Sequence, residues 1–368
     1  MMTKKKNRMS LHVSLMTAML FLVASISYGQ TSKLPTAPTP PPAVGSLLGQ
    51  VKFATNCPVF SLDVGSGVGV GITFDGQNLW YSCLNSKNSI VATNHNDLFK
   101  ADPKTGAVLA SYDIAGGLGA IAYDGKRNVI WAGEGDGYND PSQWGVDLTA
   151  KVLEIQLDNK LNVLPTTCAT KPCPLYTVAF ADVQAYQDFS LLGYSDNKVD
   201  GLAIDATTDT LYVHYAFATD IFKYSVATGP SFGTFLAPFL PEVPGIPAGT
   251  PVFLDPAYAG APCVVGGLAI GGTALIEGSD YCDHVWAVDK TTQLPIFDFD
   301  FSATVRNLVF SNPGFDQKAS TCDTSTFKSG DAIWVKEPYD NQTAFAFMIP
   351  AGSCGEGGLP ATVNHKKK

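Results

Sequence analysis

The stretch "VDGLAIDATTDTLYVHYAFATDIFKYSVATG", residues 199–229, is written several times along the chain with variations. It opens on a short apolar run, turns at Asp205, continues through a strand-like "LYVHY" and ends in a third alternating run before a polar turn. Two copies precede it, "VGITFDGQNLWYSC…NDLFKADPKTGAVLASYDI" from Val70 and "GAIAYDGKRNVIWAGEGDG…AKVLEIQLDNKLNVL" from Gly119. Two follow, "VGGLAIGGTALIEGSDYCDHVWAVDKTTQLPIFDFDF" from Val265 and "RNLVFSN…SGDAIWVKEPYDNQTAFAFMIP" from Arg306. The second run of each unit centres on Trp80, Trp131, Tyr212, Ile276 or Trp334.

Apolar and β-branched runs with period-two alternation, punctuated by Asp, Gly and Asn, read as strands. Four such strands in a unit longer than 40 residues form the blade of a β-propeller. A lone four-stranded sheet leaves both faces partly bare, and stacking blades around an axis buries them. The fold class expected is therefore all-β, a propeller of five four-stranded blades, with six as the alternative if residues 165–198 hide an eroded blade. Asp75, Asp124, Asp205, Gly271 and Ser311 take equivalent turns in this alignment. Insertions fall at 134–149 and 238–262. No fourth strand remains after Pro350, so an N-terminal strand is expected to close the ring, and "CPVFSLDV" at 57–64 is the segment assigned to it.

The N-terminus carries Lys4, Lys5, Lys6 and Arg8, an apolar run over 13–26, and then Ser27, Tyr28 and Gly29. That order reads as a secretory signal peptide over 1–29, followed by a Pro-rich linker over 30–50, the propeller over 51–358 and a tail over 359–368. No later stretch is long and apolar enough for a spanning helix. Losing residues 1–29 removes four basic residues and no acidic ones, taking the formal charge from −9 to −13. So acidic a chain disfavours nucleic acid. The expected setting is the periplasm or the extracellular medium, and the expected state a monomer.

Eight cysteines all follow the signal, an even number that in an oxidising compartment reads as disulfides. Cys168 and Cys173, in "CATKPC", are the nearest pair, and Cys263 with Cys282 a second candidate. Without a Cys-x-x-Cys pair, and with five histidines in all, a zinc cluster is disfavoured.

Aligning the units places Val70, Gly119, Asp200, Gly266 and Arg306 at the mouth of the central channel. Only Asp200 and Arg306 are ionisable, either as a polar binding point or as closure contacts. One step outward the aligned set is Ser82, Gly133, His214, Gly278 and Lys336, followed by Cys83, Glu134, Tyr215, Ser279 and Glu337. His214, Lys336, Glu134 and Glu337 depart from what blade packing asks for. His214, inside "LYVHYAF", reads either as a packing residue or as a base or ligand. In "EGDGYNDPSQWGVD", Glu134, Asp136, Asn139 and Asp140 gather oxygens of the kind Ca²⁺ takes, or form a solvated acidic loop.

The wording "GLAID…LYV…IFKYSVATG" resembles the NHL-repeat, YVTN-repeat and regucalcin/gluconolactonase-like propellers, over nearly the whole mature chain. In the lactonases among them, a divalent ion sits at the channel mouth on an inner-strand glutamate with an asparagine and an aspartate from other blades. The first unit here has no such glutamate, and Asp200 is the inner-strand acid that would have to substitute. Two functions follow as expectations: a module that binds a small molecule, glycan or protein at one face, or a metal-dependent lactonase.

Overall fold

The structure is a computed structural model that describes residues 43–55, 57, 69, 71–84, 96–134, 150–182, 199–215, 221–239, 265–279, 284–300, 320–323, 331–336, 343–350 and 353. All regular elements among them are strands. The first, β1 (Leu47–Lys52), precedes four sheets that each run consecutively from the axis outward. Blade 1 contains β2 (Ile72–Phe74), β3 (Leu79–Ser82), β4 (Leu98–Ala101) and β5 (Val108–Tyr112), and blade 2 contains β6 (Leu118–Asp124), β7 (Val129–Glu134), β8 (Ala150–Gln156) and β9 (Thr177–Asp182). Blade 3 contains β10 (Val199–Asp205), β11 (Thr210–Tyr215), β12 (Ile221–Ser225) and β13 (Phe235–Phe239). Blade 4 contains β14 (Val265–Gly271), β15 (Ala274–Ser279), β16 (His284–Asp289) and β17 (Pro295–Asp300). Blade 5 has β18 (Ser320–Asp323), β19 (Ala332–Lys336) and β20 (Thr343–Met348), and takes β1 as its outermost strand.

The inner strands touch in the order β2, β6, β10, β14, β18 and back to β2, which closes the circle. The protein is a five-bladed β-propeller. Each seam between blades holds one cluster of buried apolar side chains, so the core is distributed around the ring rather than gathered at one point. Trp80, Trp131, Tyr212, Ile276 and Trp334 do occupy one register, opposite Thr73, Ala122, Ala203, Ala269 and Thr321.

Two expectations are corrected. The strand that closes the ring is β1, paired antiparallel with β20 from Leu47↔Phe347 to Lys52↔Thr343, and not residues 57–64. It therefore takes in residues 47–50, assigned from sequence to the linker. The inner strand of blade 5 is "STCD" at Ser320–Asp323 rather than the apolar run that begins at Arg306. Asp323, paired with Ala332, is thus the fifth equivalent of Asp75, Asp124, Asp205 and Gly271, where the sequence alignment used Ser311.

Every outermost strand carries one extra residue against its neighbour: Leu48, Leu109, Ala179, Leu236 and Ile296. Such bulges bend the strand and strengthen its twist. In four blades the bulge lies level with the central aromatic or aliphatic residue of the second strand, and in blade 2 it lies two residues further along.

Aspartates close the turns between first and second strands. Asp75 Oδ1 accepts from the Gln77 and Asn78 amides at 2.8 and 2.6 Å, and its Oδ2 from Trp80 Nε1 at 2.7 Å. Asp124 repeats this with the Lys126 and Arg127 amides at 3.0 and 3.2 Å and with Trp131 Nε1 at 3.3 Å. A short acidic side chain satisfies the turn amides that no strand partner can reach, and fixes the buried indole with the same carboxylate.

Candidate functional site

The two ends of the ring differ. At one end the inner strand turns into the second over 75–78, 125–128, 206–209 and 272–273, short links set by an aspartate in three blades and by Gly271 in the fourth, and the third strand turns into the fourth over 102–107, 157–176, 226–234 and 290–294. At the other end, here called the mouth, inner strands begin and second strands finish. The connections 53–71, 83–97, 135–149, 183–198, 240–264 and 301–319 all join strand ends there. Loops on a rigid scaffold are where sequence can vary without disturbing packing.

At the mouth the inner strands slip register against the second strands in blades 2, 3 and 4, between Leu118 and Ile121, Val199 and Gly201, and Val265 and Gly267. The extra residue in blade 3 is Asp200, and its counterpart in blade 4 is Gly266. Alignment of the repeats had put both in one row, and the structure gives that row a physical identity: it is a bulge. Arg306, aligned into the same row, falls in the connection 301–319 ahead of the inner strand Ser320–Asp323 and so does not belong to that row; the side chain of Asp200 and the whole of Arg306 and Glu337 lie outside the described residues.

The next row outward is structural wherever it is described. Ser82 Oγ accepts from the Gly71 amide at 2.8 Å and donates to the Gly119 carbonyl at 2.5 Å, tying blade 1 to blade 2. At Gly133 a Cβ would come within 2.4 Å of the Val199 side chain, so the close approach of blades 2 and 3 demands glycine. Lys336 is fully buried, donating from Nζ to the Gly69 carbonyl at 2.7 Å with the Tyr81 ring 6.0 Å away. His214 is buried at the seam of blades 3 and 4. Departure from the repeat at His214 and Lys336 thus coincides with burial between blades.

Near the mouth the connection 113–117 is clamped by Asp97, a residue that the repeat alignment did not single out. Its buried carboxylate accepts from the amides of Ile114, Ala115 and Gly117 at 2.7, 2.9 and 3.0 Å. Burial pushes this carboxyl up to about 6 against the opposing pull of those amides. Cys57 and Cys83 form a disulfide that ties the segment before blade 1 to the end of β3. Cys168 and Cys173 are also bonded, in the connection between β8 and β9, as spacing suggested. Cys263 and Cys282 lie outside the described residues.

Of the oxygen cluster read as a Ca²⁺ site, Glu134 ends β7 and pairs with Lys151 Nζ at 3.0 Å. Asp136, Asn139 and Asp140 lie outside the described residues. The described inner strands contain neither glutamate nor asparagine, and no group of three or more His, Cys, Asp or Glu side chains among the described residues is arranged to hold a metal ion.

No family model matches the chain, and no curated protein matches it in sequence. Among solved structures it is similar to the glutaminyl cyclase of Myxococcus xanthus, at 12% identity and a TM-score of 0.46, over 82% of this chain and 95% of that one. The architecture stated above rests on the five sheets and their closed order. No helix among the described residues is long and apolar enough to cross a membrane.

Proposed function

We propose that this is an exported propeller whose mouth binds a small molecule, a glycan or a protein segment, with Asp200 at its centre. The observation that carries the reading is the bulge in β10. A bulge inserts one residue that has no partner in the ladder, and here that residue is ionisable where blade 4 has glycine. The connections 135–149, 183–198, 240–264 and 301–319 all join strand ends at this rim. Two disulfides and the signal-like N-terminus support export. Within the propellers, the wording of the repeats favours kinship with the NHL and regucalcin-like group.

The test is a thermal-shift screen of the mature protein against sugars, amino acids, short peptides and lactones, followed by calorimetry on each hit. Asp200→Asn and Arg306→Ala are expected to weaken binding about tenfold or more, the loss of one charged hydrogen bond. Lys104→Ala, in an exposed turn at the opposite end, should leave affinity unchanged. A hit whose affinity is insensitive to both mouth substitutions moves the binding face elsewhere. Calcium-dependent lactone hydrolysis abolished by Asp200→Asn would replace the binding module with the lactonase.

A further inference from the structure

Glu277 lies in β15, in the register occupied by Tyr81, Ala132, Val213 and Val335 in the other blades. It is the only carboxyl in that row. The residue is 0% exposed, and neither carboxyl oxygen has a hydrogen-bond partner among the described residues. A buried polar group left in that condition costs on the order of 1–3 kcal/mol even when neutral, and much more when charged.

Pairing shows which seam it faces. Cross-strand partners share a face of their sheet, and Glu277 is the partner of Leu268 on β14 and of Trp286 on β16. Leu268 packs toward blade 3, where a Cβ placed on Gly201 would come within 2.8 Å of its Cγ and 3.0 Å of His214 Cβ. His214, the partner of Gly201 on β11, shares that direction. Glu277 and His214 therefore project into the seam of blades 3 and 4 from opposite sides, near the mouth. The rest of that seam is Ala203 on β10, Tyr212 on β11, Ile221 on β12, Phe239 on β13, Leu268 and Ile270 on β14, Leu275 on β15, and Trp286 and Val288 on β16. The titratable groups on the two facing sheets are Tyr212 and His214 on β11, Lys223 on β12, whose Nζ lies 5.8 Å from the Phe239 ring, and at the outer edge Asp298 and Asp300 on β17, of which Asp298 is the partner of Trp286.

The far end of the same seam is held differently. Lys290 Nζ, just after β16, meets Asp205 Oδ2 at the end of β10 at 2.7 Å. Burial alone would push the Asp205 carboxyl up, but Lys290 and Thr207 outweigh it and leave it below its ordinary range. That contact needs its carboxylate charged, whereas burial favours the neutral acid at Glu277.

We propose that the seam of blades 3 and 4 is a proton-operated joint, pinned by Asp205 and Lys290 at one end and held closed at the mouth end only while Glu277 keeps its proton. Opening at the mouth exposes the carboxyl to water and releases that proton. Burial lifts the closed-state carboxyl to about 8 from an ordinary 4.5, which sets the range over which the joint responds. The folded group binds a proton that the opened one does not, so closure weakens as pH rises from about 4.5 and levels off above 8. Blades 3 and 4 carry the mouth connections 183–198 and 240–264, so the joint regulates the same face on which Asp200 stands.

Amide hydrogen exchange on the mature protein, corrected for intrinsic rates, tests this between pH 5.5 and 9. The opening equilibrium of β11, β14 and β15 is expected to rise about tenfold per pH unit up to 8 and then flatten, the signature of one linked proton. Glu277→Gln should remove the slope while keeping the fold. Glu277→Val, the residue that blades 3 and 5 carry in this row, should do the same. A flat profile in the natural protein, or an equal slope in either variant, overturns the joint. So does a slope shared equally by β2 and β3, which would link the proton to loss of the whole ring. Because exchange is read without ligand, failure here is distinguishable from failure of the binding assay.

Discussion

Deleting residues 43–53 is expected to lower the melting temperature by about 10 °C or more and to broaden the transition. Those residues supply β1, and without it β20 becomes an open edge in the last blade. They also bury Val51 and Phe53 in the seam between blades 5 and 1, a burial of about 1.5–3 kcal/mol for each side chain. The Gly106 carbonyl, which now accepts from the Ala54 amide at 2.9 Å, would lose the strand that brings it there. At a few degrees per kcal/mol, these losses reach the stated shift. Differential scanning calorimetry decides it, and an unchanged midpoint would show that the ring is closed by other means.

The second large effect is expected at Asp124. This residue is fully buried and collects Trp131 Nε1, two turn amides and Arg127 Nη1 at 2.7 Å. Arg127 reaches across the seam to Asp209 and to the Val226 carbonyl at 2.8 Å, so the carboxylate orients the cation that links blade 2 to blade 3. Asp124→Ala should cost about 3–5 kcal/mol, because it leaves a buried indole donor and two turn amides without their acceptor and takes from Arg127 one of its two carboxylates. Asp124→Asn keeps an acceptor in place and should cost markedly less. Urea titration of both variants separates the two terms, and equal losses would mean that shape rather than charge holds the turn.

Much of the blade pattern was legible because its determinants are local. The aspartate that caps a turn and the large residue it anchors lie within a few positions of each other, so Asp75 with Trp80 and Asp124 with Trp131 could be read directly. The closing strand was misplaced for the opposite reason. β1 is outermost, only one of its residues is buried, and it directly follows a proline-rich stretch, so its alternation is faint. The inner strand of blade 5 was misread because "STCD" lacks the apolar run of its counterparts, although Asp323 repeats the anchor found in three other blades.

At the mouth, the row containing Asp200 could be found by alignment because a bulge recurs at one place in the repeat. Burial of His214 and Lys336 could not, since it depends on which blade comes next around the ring. Glu277 was within reach. Its row lies one position inward from the row of His214 and shows a single acid among apolar and aromatic residues.

The extra residue in each outer strand also bears on how the protein behaves among its own copies. The perimeter exposes Leu109, Leu236 and Ile296 at those very positions, greasy side chains beside free backbone groups. On a straight edge, that combination would template the addition of foreign strands and the growth of fibres. The bulge puts an approaching chain out of phase after a few residues, so a fifth strand cannot zip along any blade. Edge-to-edge growth between copies is thereby opposed by five small irregularities around the perimeter.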